Sequence, residues 1–203
     1  MIQELAPPII LASGSVARRK LLEAAGLSFT TRPAAMDEAE IKRGARAQGA
    51  SAEETATLLA ALKAERIAAR EPDALVIGAD QILVCEGAWF DKPDTIDAAR
   101  EQLRGLRGKP HGLATAVVCY YGGQRLWQHL ARPRLFMRAF SDVFLDAYLA
   151  AEGEAVTSSV GAYRLEGLGI HLFDRIEGEH AAILGLPLLP LLGFLRGYGV
   201  LLG

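Results

Sequence analysis

DALVIGADQILVCEG, residues 73–87, is the stretch that decides the fold. Its apolar and β-branched residues predict a buried strand, interrupted at Gly78-Ala79-Asp80. A carboxylate set in such a run is costly to bury unless it is paired or bound to a cation. Gly78 beside it leaves room for a ligand or for another stretch of backbone. The plainer reading is an Asp turn between two short strands, but the apolar residues on both sides argue against a simple exposed turn.

Upstream, SAEETATLLAALKAERIAARE (51–71) is the clearest helix of the chain. Ser51 and Glu54 fit a capping box, and Leu58, Leu59, Leu62 and Ile67 form the expected buried stripe. MDEAEIKRGARAQGASAE (36–53) is polar and contains glycine, which predicts loop with a loose helical turn. Ile9 to Ala12 predicts a short strand that stops at Ser13-Gly14-Ser15, where Ser15 caps a helix over VARRKLLEAAG (16–26) that Gly26 ends. LSFTTRPA (27–34) reads as a second short strand. Downstream, AWFDKP (88–93) is extended, and TIDAAREQLRGLRG (95–108) is a helix capped by Thr95. Residues 111–140 predict a long β-hairpin turning at Gly122-Gly123. SDVFLDAYLAAEG (141–153) is a helix capped by Ser141 or Asp142, LGIHLFDRIEGEH (168–180) is a late strand, and the apolar C-terminus is a buried helix. Strands and helices mix without strict βαβ alternation. The fold class expected is therefore α/β with a mixed sheet, in one large domain or two small lobes within residues 1–203.

Composition narrows the partners. The chain has 203 residues and a formal net charge of −2, so no global basic field exists to hold a nucleic-acid polymer. A local cluster of Lys and Arg still suffices for a small anion. Cys85 and Cys119 both lie in apolar runs and read as two buried free thiols of a cytoplasmic protein. No apolar run of about eighteen residues occurs, so no membrane span is expected. A phosphate-binding GxxxxGK[ST] loop, GxGxxG, HExxH, CxxC and GxSxG are all missing from the sequence. His111, His129, His171 and His180 show no metal-ligand spacing, and His171 reads as a core or edge histidine of an apolar strand.

Four segments are candidates for chemistry. In LASGSVARRKLLE (11–23) a strand ends in small residues and a helix begins at once, carrying Arg18 and Arg19. Helix N-termini attract anions, and two cations there conflict with the dipole unless an anion compensates them. The second is Asp80 within VIGADQILV. The third is Lys92, held extended before Pro93 and able to reach a phosphate, although a solvated surface Lys is the plainer reading; Lys63 and Arg66 on the long helix are similar, and Glu38 is equally ordinary alone. The fourth is VGAYRLEGLGIHLFDRIEG (160–178), whose glycines suggest a loop wrapping something flat and whose Glu166 could accept hydrogen bonds from a guanine edge.

Taken in order, LASGSVARRKLLEAAGLSF, MDE, ALKA, IGADQILVCEGAWFDKP, AREQLRGLRGKPHGLATAVV and GAYRLEGLGIHLFDRIEGEHAAILGLPLLPL resemble the Maf family of nucleotide pyrophosphatases over nearly the whole chain. The resemblance implies an elongated mixed sheet in two lobes with a central cleft, related to the inosine triphosphatases. It implies hydrolysis of a nucleoside triphosphate to the monophosphate and pyrophosphate with a divalent cation, magnesium or manganese. In that reading Asp80 is the catalytic carboxylate and Glu38 helps it hold the metal. Ser13, Arg18, Lys63 and Lys92 contact the triphosphate, and Ala17, Gln81 and Glu166 set base specificity. The Ala79-Asp80-Gln81 tripeptide and the Glu166 loop resemble the subgroup acting on 7-methyl-GTP. The subgroup acting on dTTP and UTP typically has Thr after the Asp and Gln in place of Glu166. Val16 and Ala17 depart from the family's usual pattern, as does Ser159-Val160-Gly161. The partner implied is the nucleotide, with a homodimer as an open option, and a regulator of cell division with little turnover is the rival reading.

Overall fold

The computed structural model describes residues 3–4 and 7–203. Strand β1 (Ile9–Leu11) leads into helix α1 (Val16–Ala24), whose N-cap Ser15 accepts from the Arg18 amide. After β2 (Thr30–Thr31) comes α2 (Glu38–Ala47), a full ten-residue helix where only a loose turn was expected. The reason is local. Asp37 caps it by accepting from the Glu40 amide, Glu38 and Glu40 sit at its positive end, and Arg46 sits at its negative end. Helix α3 (Ala52–Ala68) carries the expected capping box between Ser51 and Glu54. Then follow β3 (Leu75–Cys85), β4 (Ala88–Phe90) and α4 (Ile96–Leu106), which Thr95 caps. β5 (Pro110–Tyr121) and β6 (Gln124–Ala131) form the hairpin, with positive φ at both Gly122 and Gly123. β7 (Arg134–Met137), α5 (Asp142–Glu152), three 3₁₀ turns between 153 and 172, β8 (Phe173–Glu177), α6 (His180–Ile183) and α7 (Leu188–Gly197) complete the chain. Ser141, not Asp142, caps α5.

The sheet is mixed, as expected, with strand order β2-β1-β3-β5-β7-β8; β4 pairs with β3 and β6 with β5. β1 is parallel to both β2 and β3, whereas the pairings of β5 with β6, and of β7 with β5 and β8, are antiparallel. Among the described residues no helix is long and apolar enough to cross a membrane. Both cysteines are free and buried. The contacts divide the chain into two compact units: Met1–Gln81 with Thr115–Ala131 and Glu179–Gly203, and Ile82–Ala114 with Arg132–Gly178.

In the first unit, side-chain alternation separates two faces of β3. Leu75, Ile77 and Ala79 join Ile9, Leu11, Val117 and Cys119 in a core closed by Leu22 of α1 and Leu191 and Leu195 of α7. Val76, Gly78 and Asp80 share the other face, where α3 lies. The strand runs through Gly78-Ala79-Asp80 without the interruption expected there. Gly78 serves the helix and not a turn or a ligand: a Cβ on it would stand 2.2 Å from the Ala60 carbonyl oxygen and 2.8 Å from Ala64 Cβ. The buried face of α3 is accordingly made of small residues, Ala56, Ala60 and Ala64, together with Leu59, Lys63 and Ile67. Leu58, expected in that stripe, is 44% exposed, and Leu62 is half-buried.

In the second unit, α4 buries Ala99, Leu103 and Leu106, and α5 buries Leu145, Tyr148 and Leu149. His111 is buried and shares a hydrogen bond with the Tyr163 hydroxyl at 3.0 Å, beside the Phe173 ring. Burial pushes the His111 pKa down to about 4. His171, read as a strand histidine, is exposed in the 3₁₀ turn before β8; its carbonyl accepts from Arg138 Nε.

Two measurements test this packing. Gly78→Ala is expected to destabilise the fold by about 1–3 kcal/mol through overpacking, read by urea unfolding; wild-type stability would mean that α3 does not rest on β3 as described. The His111 ring gives a pH signature. The unfolded chain takes up its proton near the ordinary value of 6.5, and the native ring does so only at about 4. Stability should therefore fall as pH drops through that window, and His111→Gln should flatten the slope.

Candidate active site

The close approach of α3 at Gly78 sets Lys63 over Asp80, two positions further along the same face of β3. Lys63 Nζ donates to Asp80 Oδ1 at 2.5 Å and lies 2.8 Å from Glu38 Oε1. Lys63 and Asp80 are 7% and 4% exposed, while the Glu38 side chain is 41% exposed. One ammonium thus bridges a buried and a half-exposed carboxylate. The cap at Asp37 fixes where α2 starts, and so places Glu38 in its first turn beside Lys63. Asp80 Oδ2 is buried with no hydrogen-bond partner among the described residues. An unsatisfied carboxylate oxygen in a dry site is a costly arrangement, and such oxygens are retained where they meet a ligand or a proton.

Ser13 and Arg18 stand at the start of α1. The buried Ser13 hydroxyl accepts from Arg18 Nη1 and from the Ser15 amide, each at 3.2 Å. Arg18 Nε donates to the Gly185 carbonyl at 2.7 Å, which orients the guanidinium from a point 167 residues away in the chain. Burial lowers the Arg18 pKa, and the charges of Asp80 and Glu38 oppose that shift. Those carboxylates compensate a cation that the helix dipole disfavours. Arg19, its neighbour, faces solvent and pairs with Glu23 at 3.6 Å, an ordinary i,i+4 surface pair.

The remaining positions of the first unit are less charged. Ala17 is half-buried in the first turn of α1. Gln81 points to the opposite face of β3 from Asp80, where its amide nitrogen donates to Thr115 Oγ1 at 2.8 Å and to the Ala182 and Ile183 carbonyls at 3.0 and 3.1 Å. Its amide N–H groups are therefore shared between Thr115 on β5 and the carbonyls of α6, and tie that helix to the sheet. The structure thus brings Ser13, Arg18, Glu38, Lys63 and Asp80 into one polar cluster, with Gln81 adjoining through the strand.

Lys92 and Glu166 belong to the second unit. Lys92 is exposed in the segment after β4. Glu166 is exposed between two 3₁₀ turns, with Arg164 Nε 3.6 Å from its Oε1. The glycines of this loop serve its packing: a Cβ on Gly169 would stand 2.5 Å from the Arg164 carbonyl oxygen, and one on Gly161 would stand 2.6 Å from both Tyr163 Cε1 and Leu83 Cδ1 of β3. They do not have to wrap a ligand to be required. Sequence reading missed Glu152, whose side chain is 6% exposed and which binds Arg164 Nη1 at 3.3 Å and the Leu168 amide at 3.0 Å. A signal existed: an acidic residue closing a helix opposes the dipole unless a partner compensates it.

Among the described residues no three His, Cys, Asp or Glu side chains come together as a metal cage. Asp80 with its unpartnered oxygen, and Glu38 beside it, suit a hard divalent ion of the magnesium type, which takes one or two carboxylates and completes its shell with phosphate and water oxygens.

The sequence profile for Maf-like protein matches residues 8–198. This chain belongs to the Maf family. Among its relatives, the nucleoside triphosphate pyrophosphatase of Granulibacter bethesdensis is 61% identical over 95% of this chain and 98% of its own length. The protein of the same name from Rhodospirillum rubrum is 51% identical over 98% of each chain. The 7-methyl-GTP pyrophosphatase of Rhizobium etli is 44% identical over 98% of this chain and all of its own. In this Maf-family chain the motif residues at the start of α1, on α3 and on β3 are the ones that the fold gathers around Asp80.

The buried pair has a measurable energy. Lys63→Met leaves Asp80 buried without its cation and is expected to destabilise by about 3–5 kcal/mol. Adding Asp80→Asn should recover part of that loss, so a double-mutant cycle by chemical denaturation should give a coupling of at least about 1 kcal/mol; strictly additive effects would contradict the pairing.

Proposed function

We propose that this Maf-family chain is a nucleoside triphosphate pyrophosphatase whose preferred substrate carries a 7-methylguanine base. The carrying observation is the arrangement at Asp80: one carboxylate oxygen is held by Lys63, the other is buried with no hydrogen-bond partner among the described residues, and Arg18 and Ser13 lie at the adjoining helix start. Tight nucleotide binding alone does not require a carboxylate beside phosphates. This arrangement favours turnover over a purely regulatory role.

In this reading Lys63 and Arg18 neutralise the triphosphate, and the Ser13 hydroxyl binds a phosphate oxygen. Asp80 Oδ2 takes a proton from the water that attacks the α-phosphorus or, with Glu38, holds the cation beside it, while Lys63 keeps Oδ1 in place. The bond from the α-phosphorus to the bridging oxygen breaks, and pyrophosphate leaves. Asp80 and Glu38 would hold a magnesium or manganese ion, which supplies charge stabilisation to the phosphates when bound. The monophosphate and pyrophosphate then leave a cytoplasmic enzyme.

The base preference rests on Gln81 and Glu166, which resemble the 7-methyl-GTP subgroup, and on the Rhizobium etli relative of that name. A second reading is a broader or pyrimidine-directed substrate range. Its support is that relatives at 61% and 51% identity carry the general name nucleoside triphosphate pyrophosphatase.

Pyrophosphate release with magnesium or manganese, measured across common and methylated nucleoside triphosphates, separates the two. Selective release from 7-methyl-GTP is expected, and release from pyrimidine nucleotides alone would discard the base assignment. Asp80→Asn should lower kcat by roughly a hundred- to ten-thousandfold in a folded protein. Full activity in that variant would overturn the catalytic role.

A further inference from the structure

Glu152 is the last residue of α5, and its carboxylate is nearly dry, with a side chain 6% exposed. Burying a carboxylate at the negative end of a helix is doubly unfavourable without partners. Its partners lie on either side of Glu166. One oxygen, Oε1, accepts from the Leu168 amide at 3.0 Å, and the other, Oε2, accepts from Arg164 Nη1 at 3.3 Å. The same guanidinium reaches Glu166 Oε1 from its Nε at 3.6 Å. Gly167 is tied in as well: its amide donates to the Arg164 carbonyl at 3.1 Å, and a Cβ there would stand 3.0 Å from Glu152 Oε1. Both neighbours of the 165–167 segment are thus anchored on one buried carboxylate. One guanidinium thus serves two carboxylates, donating from Nη1 to Glu152 while its Nε stands 3.6 Å from Glu166.

We propose that Glu152 is a positioning residue for base selection, holding Arg164 back so that the Glu166 carboxylate is oriented but left open to a base edge. This rests on the reading of Glu166 as a base-contacting residue. With Glu152 removed, the guanidinium has Glu166 as its remaining carboxylate and closes on it. The oxygens that would accept from a guanine-type edge are then occupied. Phosphate chemistry at Asp80 does not involve these residues and is unchanged.

The test compares kcat/KM for 7-methyl-GTP and UTP in the full-length protein. Glu152→Gln keeps an oxygen for the Leu168 amide but cannot hold the guanidinium. Its selectivity for 7-methyl-GTP should fall roughly tenfold, the worth of one charge-assisted hydrogen bond, through KM and not kcat. UTP turnover should stay at the wild-type level. In the double variant Glu152→Gln with Arg164→Gln the closing guanidinium is gone, so part of the selectivity should return. A merely structural role gives the opposite result: the double variant is worse than the single one and both substrates suffer equally. That outcome, or wild-type selectivity in Glu152→Gln, overturns the proposal. Should Glu152→Gln fail to fold by thermal unfolding, Glu152→Asp, which keeps the charge but shortens the reach, is expected to lose selectivity too, and wild-type selectivity there overturns it. Glu166→Gln separates the two levels. An unchanged ratio in Glu166→Gln sinks the base reading itself, whereas a changed ratio there with none in the Glu152 variants sinks only the positioning role.

Discussion

The contact on which the first unit depends is the absence of a side chain at Gly78. A helix can cross a strand at such short range only where one partner has no Cβ and the other presents methyl groups. Gly78 on β3 and Ala60 and Ala64 on α3 meet both conditions. Once the helix is seated, the neighbouring positions are no longer free choices. Lys63 stands over Asp80, one step further along the strand face, where its ammonium meets the carboxylate. Such a pair adds little to stability when compared with apolar packing of the same volume. Its value is in where it leaves charge: one carboxylate oxygen held, the other without a hydrogen-bond partner among the described residues, and Glu38 within reach of the same ammonium.

Two residues break the same local rule. Arg18 puts a cation at a helix start, and Glu152 puts an anion at a helix end. Each would weaken its helix in isolation. Each is compensated from a distance, Arg18 by the Gly185 carbonyl and the field of Asp80 and Glu38, Glu152 by Arg164 and the Leu168 amide. Arg19 and Glu23, which sit beside Arg18 on the same helix, need no such partners because they face solvent. Conflict with the dipole is informative when the offending side chain is turned inward, and only then.

Much of the secondary structure was legible because its signals are local. Capping at Ser15, Ser51, Thr95 and Ser141 uses a hydroxyl and an amide three residues on, and the hairpin at Gly122-Gly123 requires positive φ at adjacent residues. Helix α2 was harder to see because its sequence is polar and contains Gly44. Its Asp37 cap and charge placement were written there all the same. The stripe assigned to α3 from its leucines was rotated: Leu58 faces outward, and alanines fill the interface because the strand beneath contributes a glycine. A hydrophobicity pattern ranks leucine above alanine as core, and it has no knowledge of the partner surface.

The sequence by itself determined the mixed α/β class, the capped helices, the unusual carboxylate in an apolar strand and the family to which these motifs belong. Those properties arise from spacing, turn chemistry and the cost of burying charge, all of which act over a few residues. Only the tertiary structure decided that Gly78 serves a helix and not a ligand. It also decided that Lys63 bridges Asp80 and Glu38, that Gln81 spends its amide hydrogens on Thr115 and α6, and that Glu152 anchors the Glu166 loop. Each of these is a contact between residues far apart in the chain, or on elements whose rotation and approach are set by packing. No local signal encodes the partner's side of such a contact.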